Sequence, residues 1–171
     1  MSRTDRLRRV LICICHFTQN LAFHNAGWRN KKLIREREFW RRLNGNCLDI
    51  AVVEWCKLFG ESKGKHYWGN IIQDQVAFKA DLFTIAGGES RFRDYVTEVR
   101  TYRDKFVAHL DDELVAHVPY MADALEVSRL YYKYVAEEVT DLGALGGLPV
   151  DIEAFYKLSL SQAKAEYENR T

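Results

Sequence analysis

The sequence predicts an all-α fold: an up-and-down bundle of about five to six helices, forming a single domain over residues 1–171. Three observations carry this. Apolar residues recur at three- and four-residue spacing, with no convincing alternating run that would mark a strand. Glycines fall between the periodic stretches, at Gly27, Gly45, Gly60–Gly69, Gly87-Gly88 and Gly143–Gly147, where they punctuate helices. The only two prolines, Pro119 and Pro149, stand just ahead of periodic segments, where a helix tolerates them. With 47% apolar residues, nine Phe, nine Tyr and four Trp, the chain can fill a core of domain size.

The first helix is predicted over about residues 4–24, with Leu7, Val10, Leu11, Ile14, Phe17 and Leu21 on one face. His16 and Gln19 interrupt this stretch, far short of the roughly 20 apolar residues that span a bilayer. A second helix is expected over about 30–59, bent near Asn44-Gly45-Asn46. Its inward face would hold Leu33, Phe39 or Trp40, Leu43, Leu48, Val52, Trp55 and Leu58. After a Gly- and Lys-rich loop at 60–66, a third helix covers about 68–86, with Ile71, Ile72, Val76, Phe83 and Ile85 available for burial. Gly87-Gly88 stops it. The fourth helix starts near Glu89-Ser90, carries Phe92, Tyr95, Val96, Val99, Phe106 and Val107, and should fade near His109–Asp112. Pro119 opens a fifth helix to about Val139, whose Tyr131, Tyr132 and Tyr134 suit a bundle core or a dimer interface. The last helix covers about 150–168, and a polar tail from about 163 to 171 is expected to fray.

A net charge of +1 excludes a whole-chain field that would gather nucleic acid indiscriminately. The charge is uneven, however. Arg3, Arg6, Arg8 and Arg9 crowd the start, and Arg29, Lys31, Lys32, Arg35, Arg37, Arg41 and Arg42 follow. That run reads either as a solvated helix face or as a phosphate-contacting surface. The four cysteines contain no CxxC pair and suit buried free thiols in a reducing compartment, so a cytoplasmic protein without a membrane segment is expected.

The chemistry concentrates at Arg103-Asp104-Lys105-Phe106-Val107-Ala108-His109. Arginine is a permanent cation whose planar fork suits phosphate. Histidine gives or takes a proton near neutral pH. On an unbroken helix, residues six apart are turned by roughly 240°, at about 100° per residue. Arg103 and His109 therefore converge only where the helix ends or distorts, or where a second chain completes the site. The plain alternative is a helix cap that interacts with the helix dipole. Arg100 and Tyr102, one turn or less before the motif, and Lys105 within it, are candidates for further phosphate or sugar contacts. His16, His24, His66 and His117 show no HxxxH or HExxH spacing, and no P-loop occurs, so neither a metal nor a cofactor is expected.

The string Tyr102-Arg103-Asp104-Lys105-Phe106-Val107-Ala108-His109-Leu110-Asp111 resembles the motif of HEPN domains, an arginine, a polar residue and a later histidine, in the form of their abortive-infection branch. Phe39-Trp40, the Trp55–Gly60 segment and His66-Tyr67-Trp68 are similar to that branch as well. The resemblance implies a helical bundle that dimerises so that two Arg/His pairs line one cleft. It implies a metal-independent endoribonuclease of toxin–antitoxin or abortive-infection defence, with Arg103 and His109 catalytic and Asp104 as the polar follower. It equally implies an alternative, a non-catalytic module that binds RNA, nucleotide or an antitoxin partner of nucleotidyltransferase type.

Overall fold

The computed structural model describes residues 2–108, 118–139, 143 and 146–169. It is an all-α up-and-down bundle of seven α-helices among those residues: α1 (Arg3–Ala26), α2 (Glu38–Trp55), α3 (Trp68–Ile71), α4 (Gln75–Ala86), α5 (Glu89–Tyr102), α6 (Met121–Glu138) and α7 (Ile152–Glu168). Two π-helical segments extend helices at their C-terminal ends, Cys56–Gly60 after α2 and Arg103–Ala108 after α5.

α1 is the centre of the bundle and packs against α2, α6 and α7. Val10, Leu11, Ile14 and Phe17 are fully buried at helical spacing, which makes one continuous apolar stripe. Its first turn is closed by a capping box: the Ser2 hydroxyl accepts from the Asp5 backbone N–H, and the Asp5 carboxylate accepts from the Ser2 N–H, both at 3.1 Å. An aromatic cluster fills the space between the ends of α2 and α4–α6. Trp55 stacks on Phe59 at 5.1 Å, and Phe59 meets Tyr131 edge-on at 5.6 Å. Phe78 meets Tyr131 edge-on at 5.7 Å, and Trp68 lies 5.3 Å from Phe78. Edge-to-face and offset ring pairs add to the burial of these large side chains, and here they anchor the first π segment.

The structure departs from the sequence expectations in four places. Residues 28–33 form a small antiparallel hairpin, β1 (Trp28–Arg29) and β2 (Lys32–Leu33), and α2 starts only at Glu38. The second helix also runs unbroken through Asn44-Gly45-Asn46. Asn44 is held there by tertiary partners: its Nδ2 donates to the His24 carbonyl at 2.8 Å and to the Tyr167 hydroxyl at 3.1 Å. With α2 so oriented, Leu43 is exposed rather than inward, and of Phe39 and Trp40 it is Trp40 that packs, against Tyr167.

The expected third helix is split. Ile72 turns extended, and the Asp74 carboxylate caps a new helix by accepting from the Ala77 N–H at 3.0 Å. The break buries Ile71 and Ile72 together and leaves Val76 and Ile85 exposed. Finally, residues 163–168 do not fray. They are helical, with Tyr167 buried against Trp40 and its carbonyl accepting from Arg35 Nε at 2.9 Å. Among the described residues no helix is long and apolar enough to cross a membrane.

Candidate functional site

α5 delivers the predicted motif. Val99 and Tyr102 bury one face of its last turns in the core, which fixes the rotation at which Arg103 emerges. The Tyr102 hydroxyl donates to Asp49 Oδ1 on α2 at 3.1 Å, and its ring lies 5.7 Å from Phe106. Burial, then the Asp49 charge, raises the Tyr102 pKa, so this hydroxyl stays a donor. Burial in turn raises the Asp49 pKa, with the Tyr102 hydrogen bond acting against it.

At Arg103 itself the winding changes from α to π, the looser i→i+5 helix that occurs mostly as short insertions and frequently at functional sites. The winding therefore changes at the arginine, before His109 is reached. His109 lies outside the described residues.

Arg103 is held from two sides. Its Nε donates to Asp104 Oδ1 at 2.8 Å, and its Nη1 donates to Glu61 Oε1 at 2.6 Å. The arginine side chain is 17% exposed, whereas Glu61 and Asp104 are about half exposed, at 47% and 51%. The cation therefore sits below a carboxylate rim. Burial pulls its pKa down, but the Asp104 hydrogen bond and the charges of Asp104 and Glu61 act against burial, and the net shift is upward. Arg103 is a permanent cation here.

Glu61 directly follows the first π segment, so the two π turns meet around this ion pair. Within that first segment, burial pushes the Cys56 thiol up to about 12, with Arg103 acting against it. Cys56 is therefore an inert thiol and not a nucleophile.

Arg100, one turn earlier, is exposed and lines a cleft of about 420 Å³ with Gly60, Glu61, Ser62, Lys63 and Gly64. A side chain at position 60 would bring a Cβ to 3.1 Å from Arg100 Cγ, so glycine there leaves room for the arginine stem. The cleft thus offers Arg100 and Lys63 beside the Arg103 ion pairs. Lys105 is half-buried on the π turn.

Of the predicted residues, Arg100, Arg103 and Asp104 come together at one end of the bundle, while Tyr102 points inward to Asp49. Sequence reading missed Glu61, Asp49 and Gly60. Glu61 is a loop acid after a glycine, with no local pattern to single it out. Among the described residues no group of three His, Cys, Asp or Glu side chains could hold a metal ion. Compared with protein-family models, curated proteins and solved structures, the chain shows no match.

Proposed function

We propose that this chain is a metal-independent endoribonuclease of HEPN type that works in toxin–antitoxin or abortive-infection defence as a homodimer. The observation that carries the reading is Arg103: a largely buried, carboxylate-anchored cation on a π-distorted helix end, beside a cleft with two more cations and six residues before His109.

In the proposed reaction, His109 accepts the proton of a ribose 2′-hydroxyl as that oxygen attacks the adjacent phosphorus. The P–O5′ bond breaks, and the leaving oxygen takes a proton from the equivalent histidine of the second subunit. The products are a 2′,3′-cyclic phosphate and a 5′-hydroxyl. Proton transfer of this kind is typically worth about 10²–10⁴-fold. Arg103 binds the non-bridging oxygens and offsets the charge that builds up on them. Glu61 and Asp104 keep the guanidinium in place, at the cost of repelling the phosphate, and Arg100 and Lys63 offset that repulsion.

The test is cleavage of an RNA pool in EDTA by wild type, His109→Ala and Arg103→Lys, with the product ends identified. Wild type should cleave and leave cyclic phosphate ends. His109→Ala should lose activity by about 10²-fold or more. Arg103→Lys keeps the charge but not the two-pronged geometry and should fall by about 10-fold or more. If wild type is folded and dimeric yet cleaves nothing, while the substitutions change only thermal stability, the motif is a helix cap and the enzyme reading fails.

A further inference from the structure

We propose that the groove between the 28–33 hairpin and the start of α6 docks single-stranded RNA, with a base stacked on Trp28 and the backbone held at Lys31. The proposal rests on RNA being the substrate of the Arg103 region. The groove encloses about 990 Å³ and is lined by His24, Trp28, Asn30, Lys31, Leu48 and Tyr120 among others. Among the described residues its lining includes a lysine and no carboxylate, a charge that complements a phosphodiester and not a cationic ligand.

Two aromatic rings are accessible there, with Trp28 42% and Tyr120 74% exposed. The indole is held as a platform. Its one donor, Nε1, is spent inward on Asn44 Oδ1 at 3.0 Å, and Asn44 is buried and fixed by its own bonds to α1 and α7. His24 braces it with ring centroids 6.0 Å apart. Burial lowers the His24 pKa, so this ring is neutral at pH 7 and the positive charge comes from lysine.

The hairpin turn adds a second argument. Asn30 and Lys31 both have positive φ, at 50° and 62°, which is the backbone of a two-residue type I′ turn. Asparagine suits that region; lysine is strained in it. The turn therefore keeps a cation at the groove edge where glycine would be the relaxed choice, and strain of this kind gathers at functional positions. Arg29 is occupied by Glu168, and Lys31 is the lysine or arginine that lines the groove among the described residues. Accessible rings beside a cation and an amide are the equipment of a single-strand site, because every base offers a stacking face. One turn of α2 serves both regions: Leu48 lines the groove, and Asp49 accepts from Tyr102, the residue before Arg103.

The experiment measures anisotropy of fluorescein-labelled oligo(U) and oligo(A), each about ten nucleotides long, the scale of a single-strand site. All proteins carry His109→Ala to keep the RNA intact. Trp28→Ala should weaken binding by about 5- to 100-fold and Tyr120→Ala by about 5-fold, while Trp28→Phe retains most affinity. Lys31→Asn, which relaxes the turn, should lower the salt slope by about one.

Trp28→Ala can disturb Asn44 and the fold. Tyr120→Ala and Lys31→Asn lie on the surface and keep the proposal falsifiable. Binding unchanged in both overturns the groove, as does no binding of either oligonucleotide. Cleavage by the native protein alongside unchanged binding in the variants leaves the nuclease and removes the groove. Groove-dependent binding without any cleavage does the reverse. Protection from the oligonucleotides by duplex RNA alone, at equal potency, would mean plain charge attraction and also overturns it.

Discussion

At the scale of single residues, His24 shows how a side chain with no catalytic assignment still shapes behaviour with pH. Its Nδ1 lies 3.2 Å from the Asn44 carbonyl, which can only accept, so this nitrogen carries the proton in the neutral ring. Burial lowers the pKa from its ordinary 6.5, and the Asn44 bonds and the Asp49 charge oppose that only in part. The unfolded chain therefore binds more protons than the folded one between the lowered value and about 6.5, and stability rises with pH across that window. We expect Tm to be level above pH 7 and to fall as pH drops toward 5. His24→Gln should flatten much of that fall. His66, which burial shifts in the same direction, accounts for a remainder. A pH profile of Tm for His24→Gln that is as steep as that of wild type would place the effect elsewhere. His24 was visible in the sequence as one of five histidines, yet nothing in its neighbours indicated burial. Its environment comes from Asn44, 20 residues away. Arg103 is the opposite case. The string around it singles Arg103 out as a candidate, but its anchoring by Glu61, 42 residues distant, was not legible there.

At the scale of elements, periodicity located α1, α6 and α7 and the start of α5 to within a few residues, because each buries one continuous stripe, while the expected end of α5 near 109–112 lies outside the described residues. It failed where tertiary partners override the local pattern. The 28–33 hairpin is too short to show alternation, and Asn44 reads as a helix breaker until its three side-chain hydrogen bonds are counted. The split between α3 and α4 depends on Asp74 acting as a cap in mid-run, where a helical average hides it. The stop at Gly87-Gly88 was legible because left-handed backbone calls for glycine: Gly87 has φ 76° and its N–H bonds the end of α4. Gly87→Ala should destabilise the protein by about 1–2 kcal/mol. A Cβ there would also stand 3.0 Å from Arg91 Nη1, a flexible end that can move aside, so the cost is backbone strain rather than a clash. Chemical denaturation measures it. A loss well below that range would mean that the turn reshapes around the new residue.

For the whole molecule, the question is how the proposed RNA-cleaving centre would work in a chain of net charge +1. The cations assigned to RNA are local, at the Arg100–Arg103 end and the hairpin, so docking is expected to be selective and salt-sensitive rather than general. Glu61 and Asp104 together more than neutralise Arg103, and a single Arg103 is a weak phosphate site. Two copies facing each other across a two-fold axis would double the cations and supply a base and an acid at once. A symmetric interface of that kind makes a prediction that a monomeric enzyme does not share. Wild-type and His109→Ala subunits are mixed in equal amounts and allowed to exchange. If one cleft needs the histidines of both subunits, the half of the dimers that become mixed are inactive, and activity should fall to about half of its value before exchange. The fall should require exchange, and locking the dimers against exchange should prevent it. If each chain carries a complete centre of its own, exchange leaves the activity unchanged, and the shared-cleft mechanism fails.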